Sequence, residues 1–159
     1  MPGFPSASGS VQPSLAVGWQ NARNSAAVVK QRTTAIRDAI LAGAISTSTI
    51  LGYLTTMVEQ KNILIACGAL PGMAAYAQAQ IGQPGLDVSQ TFTDMVNAIN
   101  VVGGAIIGAF PTVTDGNGTW LLGISWEAGP TGRTVDRQFS TVAMSFLVPS
   151  LNALITTID

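Results

Sequence analysis

Few side chains in this sequence can act as catalysts or as metal ligands. The 159 residues include no histidine, which removes the commonest general base and metal ligand near neutral pH. The single cysteine, Cys67, therefore has no imidazole partner to activate it as a nucleophile. It lies in the apolar run 63–67, where a free cysteine behaves as a small hydrophobic residue. Zinc sites built from cysteine and histidine are excluded as well.

Carboxylates are the remaining candidates, and they are few and scattered along the chain. Asp115, Asn117 and Asp136 could bind calcium if the fold brought them together, but the spacing of an EF-hand loop is absent. The segment 115–118, Asp-Gly-Asn-Gly, is instead typical of a turn. The sequence therefore predicts no catalytic, cofactor-binding or metal-binding residue, and we expect a protein that is not an enzyme.

The charge of the chain excludes a general attraction to nucleic acid. The net charge is −1, and no stretch alternates basic and aromatic residues as a base-stacking surface would. Gly103 and Gly104 lack the following Lys and Ser/Thr of a phosphate-binding loop. We expect no specific nucleic-acid partner, no cofactor and no small-molecule substrate.

Charged residues are unusually rare, at 9% of the chain against about 25% in typical domains. Such a chain covers much of its surface with protein, with lipid or with neutral polar side chains. The charge is also uneven, with a net +3 over residues 1–62 and a net −4 over residues 63–159. This asymmetry allows subunits to meet head to tail, although two solvated faces explain it equally well.

The first long helix carries the clearest candidate interface. Ser14 is a suitable N-cap, and the helix is predicted to run to about Ala42, with Gly43 as its stop. Apolar or small residues follow at alternating spacings of four and three, the period of a coiled-coil seam: Leu15, Trp19, Ala22, Ala26, Val29, Thr33, Ile36 and Ile40. A row of cations recurs every seven residues and indicates either a solvated face or a surface for an acidic partner: Arg23, Lys30 and Arg37.

Three further helices and a short one complete a predicted bundle of three long helices plus a C-terminal helix. The second long helix begins after the Ser/Thr cluster 46–49 and runs to about Leu70, and a short helix spans about 71–81, with Pro71 in its first turn. The second helix has a wide apolar stripe: Ile50, Leu51, Leu54, Met57, Val58, Leu64 and Ile65. Asp87 and Gln90 resemble a capping box at the start of the third long helix, whose stripe is Val88, Phe92, Met95, Ile99, Val102 and Ile106. The last helix, about 141–158, presents Phe146, Leu147, Leu151, Leu154, Ile155 and Ile158, and Pro149 is expected to kink or split it.

Two segments depart from this helical pattern. Residues 1–13 form a Pro/Gly/Ser arm that cannot fold alone. A β-hairpin is predicted at about 119–139, inserted before the last helix, and it must pack on the helices or pair with another chain. The domains are therefore an extended arm, 1–13, and one helical domain, 14–159. Aromatic residues in these segments, together with Trp19, are the candidate interface anchors: Phe4, Trp120 and Trp126.

Neither export nor membrane insertion is indicated by the sequence. The first residues lack the basic and apolar regions of a signal peptide. The apolar runs Ile63–Leu70 and Val101–Phe110 are shorter than the roughly 20 residues of a membrane span, and both are typical of buried core helices. The absence of a disulfide framework favours assembly in a reducing compartment.

Several motifs resemble small structural proteins encoded among the virion genes of tailed bacteriophages and prophages. The segment Leu70–Gln78, then Leu86–Val88, Phe92 and Met95, matches their first half. Their polar hairpin and terminal helix are matched by Val135, Asp136, Arg137, Phe139, Ser140, Leu151, Leu154, Ile155 and Ile158, and Pro149 departs from the pattern. The resemblance covers about residues 15–159 and implies a virion component of the neck, tail or head-to-tail region, assembled in the cytoplasm of a bacterial host.

Three hypotheses follow for the function. In the first, the chain is a virion structural subunit that forms a symmetric oligomer through apolar helix faces and the N-terminal arm, with copies of itself and other virion proteins as partners. In the second, low charge and a mean hydropathy of +0.39 indicate a membrane-associated helical protein. In the third, the chain is a small enzyme that depends on one of its carboxylates. The first hypothesis is favoured.

Overall fold

The computed structural model describes residues 14–43, 45–109 and 143–159. These residues are mostly helical, which confirms the mainly α class. The elements are α1 (Leu15–Ala42), α2 (Thr47–Gly68), α3 (Met73–Ile81), α4 (Val88–Ala109), a π-helical turn (Ala143–Leu147) and α5 (Val148–Ile158). The described part of the chain therefore contains more helical elements than three long helices and a C-terminal helix. The predicted arm and hairpin, with Phe4, Trp120 and Trp126, lie outside the described residues.

The ends of α1 and α2 are fixed by their capping residues. Ser14 Oγ accepts a hydrogen bond from the Val17 amide at 3.2 Å, and Gly43, at φ 71°, closes α1 in the left-handed conformation that favours glycine. Ser46 Oγ accepts a hydrogen bond from the Thr49 amide at 3.3 Å and caps α2. Side-chain acceptors satisfy amides that have no partner within the helix. The predicted start of α1 agrees with the structure, whereas α2 begins at Thr47, inside the Ser/Thr cluster and not after it.

The starts of α3 and α4 also differ from the prediction. Helix α3 begins at Met73 and not at Pro71, because Gly72 adopts φ 83° and acts as its N-cap. The capping box before α4 is only half formed. The Asp87 carboxylate accepts from the Gln90 amide at 3.0 Å, but the Gln90 side chain donates forward to Asp94 Oδ1 at 2.8 Å instead of back to Asp87.

Four helices form a ring in which each contacts two neighbours. Helix α1 packs on α2 and α5, and α4 packs on the same two helices, while α3 closes one end against α1, α2 and α4. Gly18 permits the close approach at that end, because a Cβ there would lie 2.5 Å from Leu70 Cδ1. The largest fully buried apolar side chains come from every part of the ring and contribute about 1.5–3 kcal/mol each: Val29, Ile50, Leu64, Met73, Val102, Ile106, Leu147, Leu151 and Leu154.

The predicted last helix is split, as the position of Pro149 suggests. A π-helical turn, Ala143–Leu147, precedes the α-helix Val148–Ile158, and Pro149 lies in the first turn of that helix. Proline is tolerated there because the first amides of a helix have no intrahelical acceptor. Leu151 and Leu154 are buried, but Phe146 is 55% exposed. Phe146 therefore does not belong to the buried face on which the sequence analysis placed it.

Helix α4 is the one described helix that is long and apolar enough to cross a membrane. Seven of its residues are nevertheless buried in the bundle: Val88, Phe92, Ile99, Val102, Ala105, Ile106 and Ala109. All but Ala105 and Ala109 belong to the predicted stripe, in which Met95 is only partly buried. A core helix has this composition and this one-sided burial, so the composition of α4 does not by itself indicate a membrane span.

Candidate interaction surface

The seam predicted on α1 faces the interior of the same chain. Its buried positions, here called the inner seam, are Ala22, Ser25, Val29, Thr33, Ile36 and Ile40. Ser25 takes the buried position that the sequence analysis gave to Ala26, which is only half-buried. Trp19 is partly buried against the core. The buried positions are spaced by three, four, four, three and four residues, which is the period of an ordinary helix and not the strict alternation that was predicted, and α2 and α5 cover them within the same chain.

Two polar residues of the inner seam are satisfied by α2. Thr33 Oγ1 and the Tyr53 hydroxyl lie 2.8 Å apart in a buried hydrogen bond, and Ser25 Oγ donates to the Gln60 carbonyl oxygen at 3.2 Å. Burial raises the pKa of Tyr53 to about 12, although the hydrogen bond with Thr33 acts in the opposite direction. A phenol that holds its proton so firmly is a poor general base, and the pair is therefore a structural contact.

Tyr53 is a core residue that the predicted stripe of α2 does not include. The signal was present, because Tyr53 follows Ile50 by three residues and precedes Met57 by four, which places all three on one face of a helix. Tyrosine carries a polar group that needs a partner when buried. The small Thr33 in the inner seam provides both the space and that partner.

The three cations predicted to form a row on α1 make different contacts. Lys30 Nζ forms an ion pair with Asp159, and Arg37 Nη1 donates to Asn152 Oδ1 at 3.0 Å, so both side chains reach the C-terminal end of the same chain. Arg37 Nε also lies 3.2 Å from Asp38 Oδ1. Arg23 is exposed and has no hydrogen-bond or ion-pair partner among the described residues. Two of the three cations therefore connect α1 to the C-terminal end of the chain, at Asn152 and Asp159.

The apolar stripe predicted on α2 separates into two faces. Ile50, Met57 and Leu64 are buried with Tyr53 and Cys67, and Leu54 is partly buried. Leu51, Val58 and Ile65 are 39%, 52% and 49% exposed. The stripe is wide because adjacent residues on a helix differ by about 100° in direction, so only one residue of each neighbouring pair can face the core. The prediction that these three residues belong with the core-facing stripe is corrected accordingly.

The exposed residues of α2 have a regular spacing of their own. Thr55 and Asn62 lie between the exposed residues Leu51, Val58 and Ile65, and Ala69 follows them. All six residues are exposed, and they are separated alternately by four and three positions. We call this set the outer seam: Leu51, Thr55, Val58, Asn62, Ile65 and Ala69. It contains no charged residue over the length of α2, whereas the outward face of a bundle helix is ordinarily charged or polar.

Shallow grooves lie beside the outer seam where α2 meets α4, and a separate hollow lies where α2 meets α1. On the side of α4, two hollows of about 310 and 210 Å³ include Ile65 and Val58 in their linings, and Lys61 donates to Asn100 Oδ1 at 3.1 Å beside the second. On the side of α1, a hollow of about 280 Å³ includes Gly52 and Arg32. Each of these linings contains at most one titratable cation and no carboxylate, so none supplies the paired acid and base of general acid–base catalysis.

A further hollow of about 410 Å³ lies between α4 and the C-terminal segment. Val101 and Phe146, which are 65% and 55% exposed, lie in its lining, and no titratable side chain does. Cys67 is buried, which raises the pKa of its thiol. Within residues 14–43, 45–109 and 143–159, no three Cys, Asp or Glu side chains lie close enough to hold a metal ion.

Comparisons with models of protein families, with curated proteins and with solved structures give no match for this chain.

Proposed function

We propose that the chain is a structural subunit of a bacteriophage virion that assembles into a symmetric oligomer in the neck, the head-to-tail region or the tail. The observation that carries the proposal is the outer seam of α2, an uncharged row with three exposed aliphatic side chains. Transfer of one such side chain from water into an interface is favourable by about 1.5–3 kcal/mol when burial is complete. A surface of this kind favours contact with another protein over exposure to water.

The rarity of charge across the whole chain also supports assembly. Charged residues form 9% of the sequence, and the outer seam of α2 contains none of them. We propose that residues 1–13, with Phe4, and the segment with Trp120 and Trp126 supply further contacts to neighbouring subunits. Aromatic anchors of this kind contribute strongly when a partner buries them.

The oligomer is tested by size-exclusion chromatography with light scattering on the intact chain over a wide range of concentrations. We expect a multimer of defined mass, and images of negatively stained particles with rotational symmetry. A chain that remains monomeric at the highest concentration contradicts the proposal. Far-UV circular dichroism on the same sample confirms that the chain tested is folded.

The virion location needs a separate test. An antibody against the chain should label phage particles released from a bacterial host that carries the gene, and the label should lie near the junction of head and tail or along the tail. Purified infectious particles that contain none of the chain contradict the virion location without affecting the oligomer.

Membrane association is the second candidate function, and it is supported by the low charge of the chain and its mean hydropathy of +0.39. Flotation with liposomes of phosphatidylethanolamine and phosphatidylglycerol separates the two functions. A virion subunit should remain at the bottom of the gradient, whereas recovery in the floating fraction would favour the membrane.

A further inference from the structure

The outer seam has the features of one strand of a two-stranded coiled coil. Leu51, Val58 and Ile65 recur every seven residues, and Thr55, Asn62 and Ala69 fill the alternate positions. In the heptad notation the first three occupy position d and the second three occupy position a. We infer that the outer seam binds the outer seam of a second copy, with the two α2 helices parallel and in register. This inference rests on the proposed self-assembly and specifies its contact.

Asn62 favours the parallel arrangement. Its side chain is exposed and makes no hydrogen bond to the other residues that the structure describes. In a parallel pair each Asn62 meets the Asn62 of the second copy, so that the amide groups can hydrogen-bond to each other. In an antiparallel pair centred on residue 60, Asn62 instead meets Val58, which leaves a buried amide unsatisfied. A single asparagine at position a is known to specify register in coiled coils, and an unsatisfied buried amide costs about 1–3 kcal/mol.

The charges beside the seam favour the same arrangement. Lys61 lies on the side of α4, where it donates to Asn100. Glu59 lies on the side of α1, because Gly52, seven residues earlier, lines the groove against α1. In a parallel pair the α1 side of one copy faces the α4 side of the other, so that Glu59 approaches Lys61 at both edges. An antiparallel pair sets Glu59 against Glu59 and Lys61 against Lys61, which is unfavourable.

The position of α2 in the ring leaves the seam accessible. The buried face of α2 is already occupied by contacts with α1 and α4, and the residues of the outer seam remain exposed beside α4. The hollows that include Val58 and Ile65 are grooves in which the flanking side chains of a second helix can lie.

A matched pair of substitutions tests whether the outer seam is the contact. Val58→Asp places two carboxylates against each other at the centre of the proposed pair, and we expect the Kd of self-association to rise by about 100-fold or more, since like charges at an interface cost several kcal/mol. Val17→Asp is the control, because Val17 has nearly the same exposure, 51% against 52%, but lies on α1 outside the seam. It should leave the Kd unchanged. Both positions are exposed, so both variants should keep the circular dichroism of the parent.

Cysteine cross-linking in a Cys67→Ala background tests the orientation. Thr55→Cys, which leaves Asn62 in place, should form a disulfide-linked dimer on mild oxidation, because the parallel pair brings the two residues at position 55 together. Gln31→Cys, exposed on α1, should not. Cross-links that form only in a mixture of Thr55→Cys and Ile65→Cys chains would overturn the parallel arrangement in favour of the antiparallel one.

The outcomes separate this inference from the proposed function. If the parent chain is an oligomer that Val58→Asp does not weaken, or if Thr55→Cys does not cross-link, the inference is wrong. If the parent chain is a monomer at every concentration, the proposed function fails, and the inference fails with it.

Discussion

The inner seam of α1 and the outer seam of α2 both repeat every three or four residues, but they have opposite surroundings. Val29 in the inner seam is 0% exposed, and Val58 in the outer seam is 52% exposed. The polar members differ in the same way, because Thr33 has a buried hydrogen bond to Tyr53, whereas Asn62 has no partner among the described residues. A spacing of three and four therefore does not by itself separate a buried helix face from an exposed one, and the order of helices around the ring decides which face is buried within the chain.

The largest expected difference between the two seams is the loss of folding free energy when a valine in each is replaced by aspartate. Val29→Asp places an unpaired carboxylate in the core, and we expect a loss of more than about 4 kcal/mol, enough to unfold a domain of ordinary stability. Val58→Asp should melt at nearly the temperature of the dissociated parent. Thermal melts followed by circular dichroism at low protein concentration measure both. Similar melting temperatures for the two variants would contradict the difference in burial.

The second largest effect is a loss of stability at high pH through the inner seam. The pKa of Tyr53 is about 12 in the folded chain and about 10 in an unfolded one. Because the folded pKa is raised, the stabilisation is complete below pH 10 and is lost as the pH rises toward 12. Two pKa units correspond to about 3 kcal/mol.

Tyr53→Phe is the control for this effect, because lysines and arginines also titrate at high pH. The free energy of unfolding of the variant, measured with denaturant between pH 9 and 12, should fall less steeply than that of the parent. Parallel curves for the two chains would contradict the burial of the Tyr53 hydroxyl.

A smaller effect is expected from breaking the Thr33–Tyr53 hydrogen bond at neutral pH. Tyr53→Phe leaves the Thr33 hydroxyl buried without its partner and should destabilise the fold by about 1–3 kcal/mol. Adding Thr33→Val to Tyr53→Phe should recover part of the loss, because it removes the unpaired group. A double-mutant cycle with denaturant unfolding measures the coupling, and additive losses would indicate that the two hydroxyls do not interact. The polar residues of the outer seam should give no such coupling within one chain.

Much of the bundle could be predicted from spacing and capping, but the division of α2 could not. Ser14, Gly43 and Ser46 carry local signals that fix helix ends wherever the chain packs. Leu51 and Ile50 have nearly the same hydrophobicity, and which of them is buried depends on where α1 and α4 lie around α2. The positions of α1 and α4 belong to the tertiary structure and cannot be predicted from the local sequence of α2. The start of α3 shows the same limit, because Pro71 and Gly72 are both acceptable near a helix start, and the backbone conformation of Gly72 decides between them.

Substitution of the cations that flank the inner seam should change the stability of the fold least. Two cations of the same row, one with an ion-pair partner and one without, can be compared directly. Lys30 and Asp159 are 46% and 51% exposed, so solvent screens their ion pair, and removal of a pair of this kind costs about 0.2–1 kcal/mol. Lys30→Ala should therefore destabilise the chain slightly at low salt and less at 1 M salt, because the Debye length shortens to about 3 Å. Arg23→Ala, one heptad earlier in the same row and without a partner in the described part of the chain, should have no salt-dependent effect. If both variants respond equally to salt, the row acts as a general positive field around α1, and its contact with the C-terminal end contributes no specific stability.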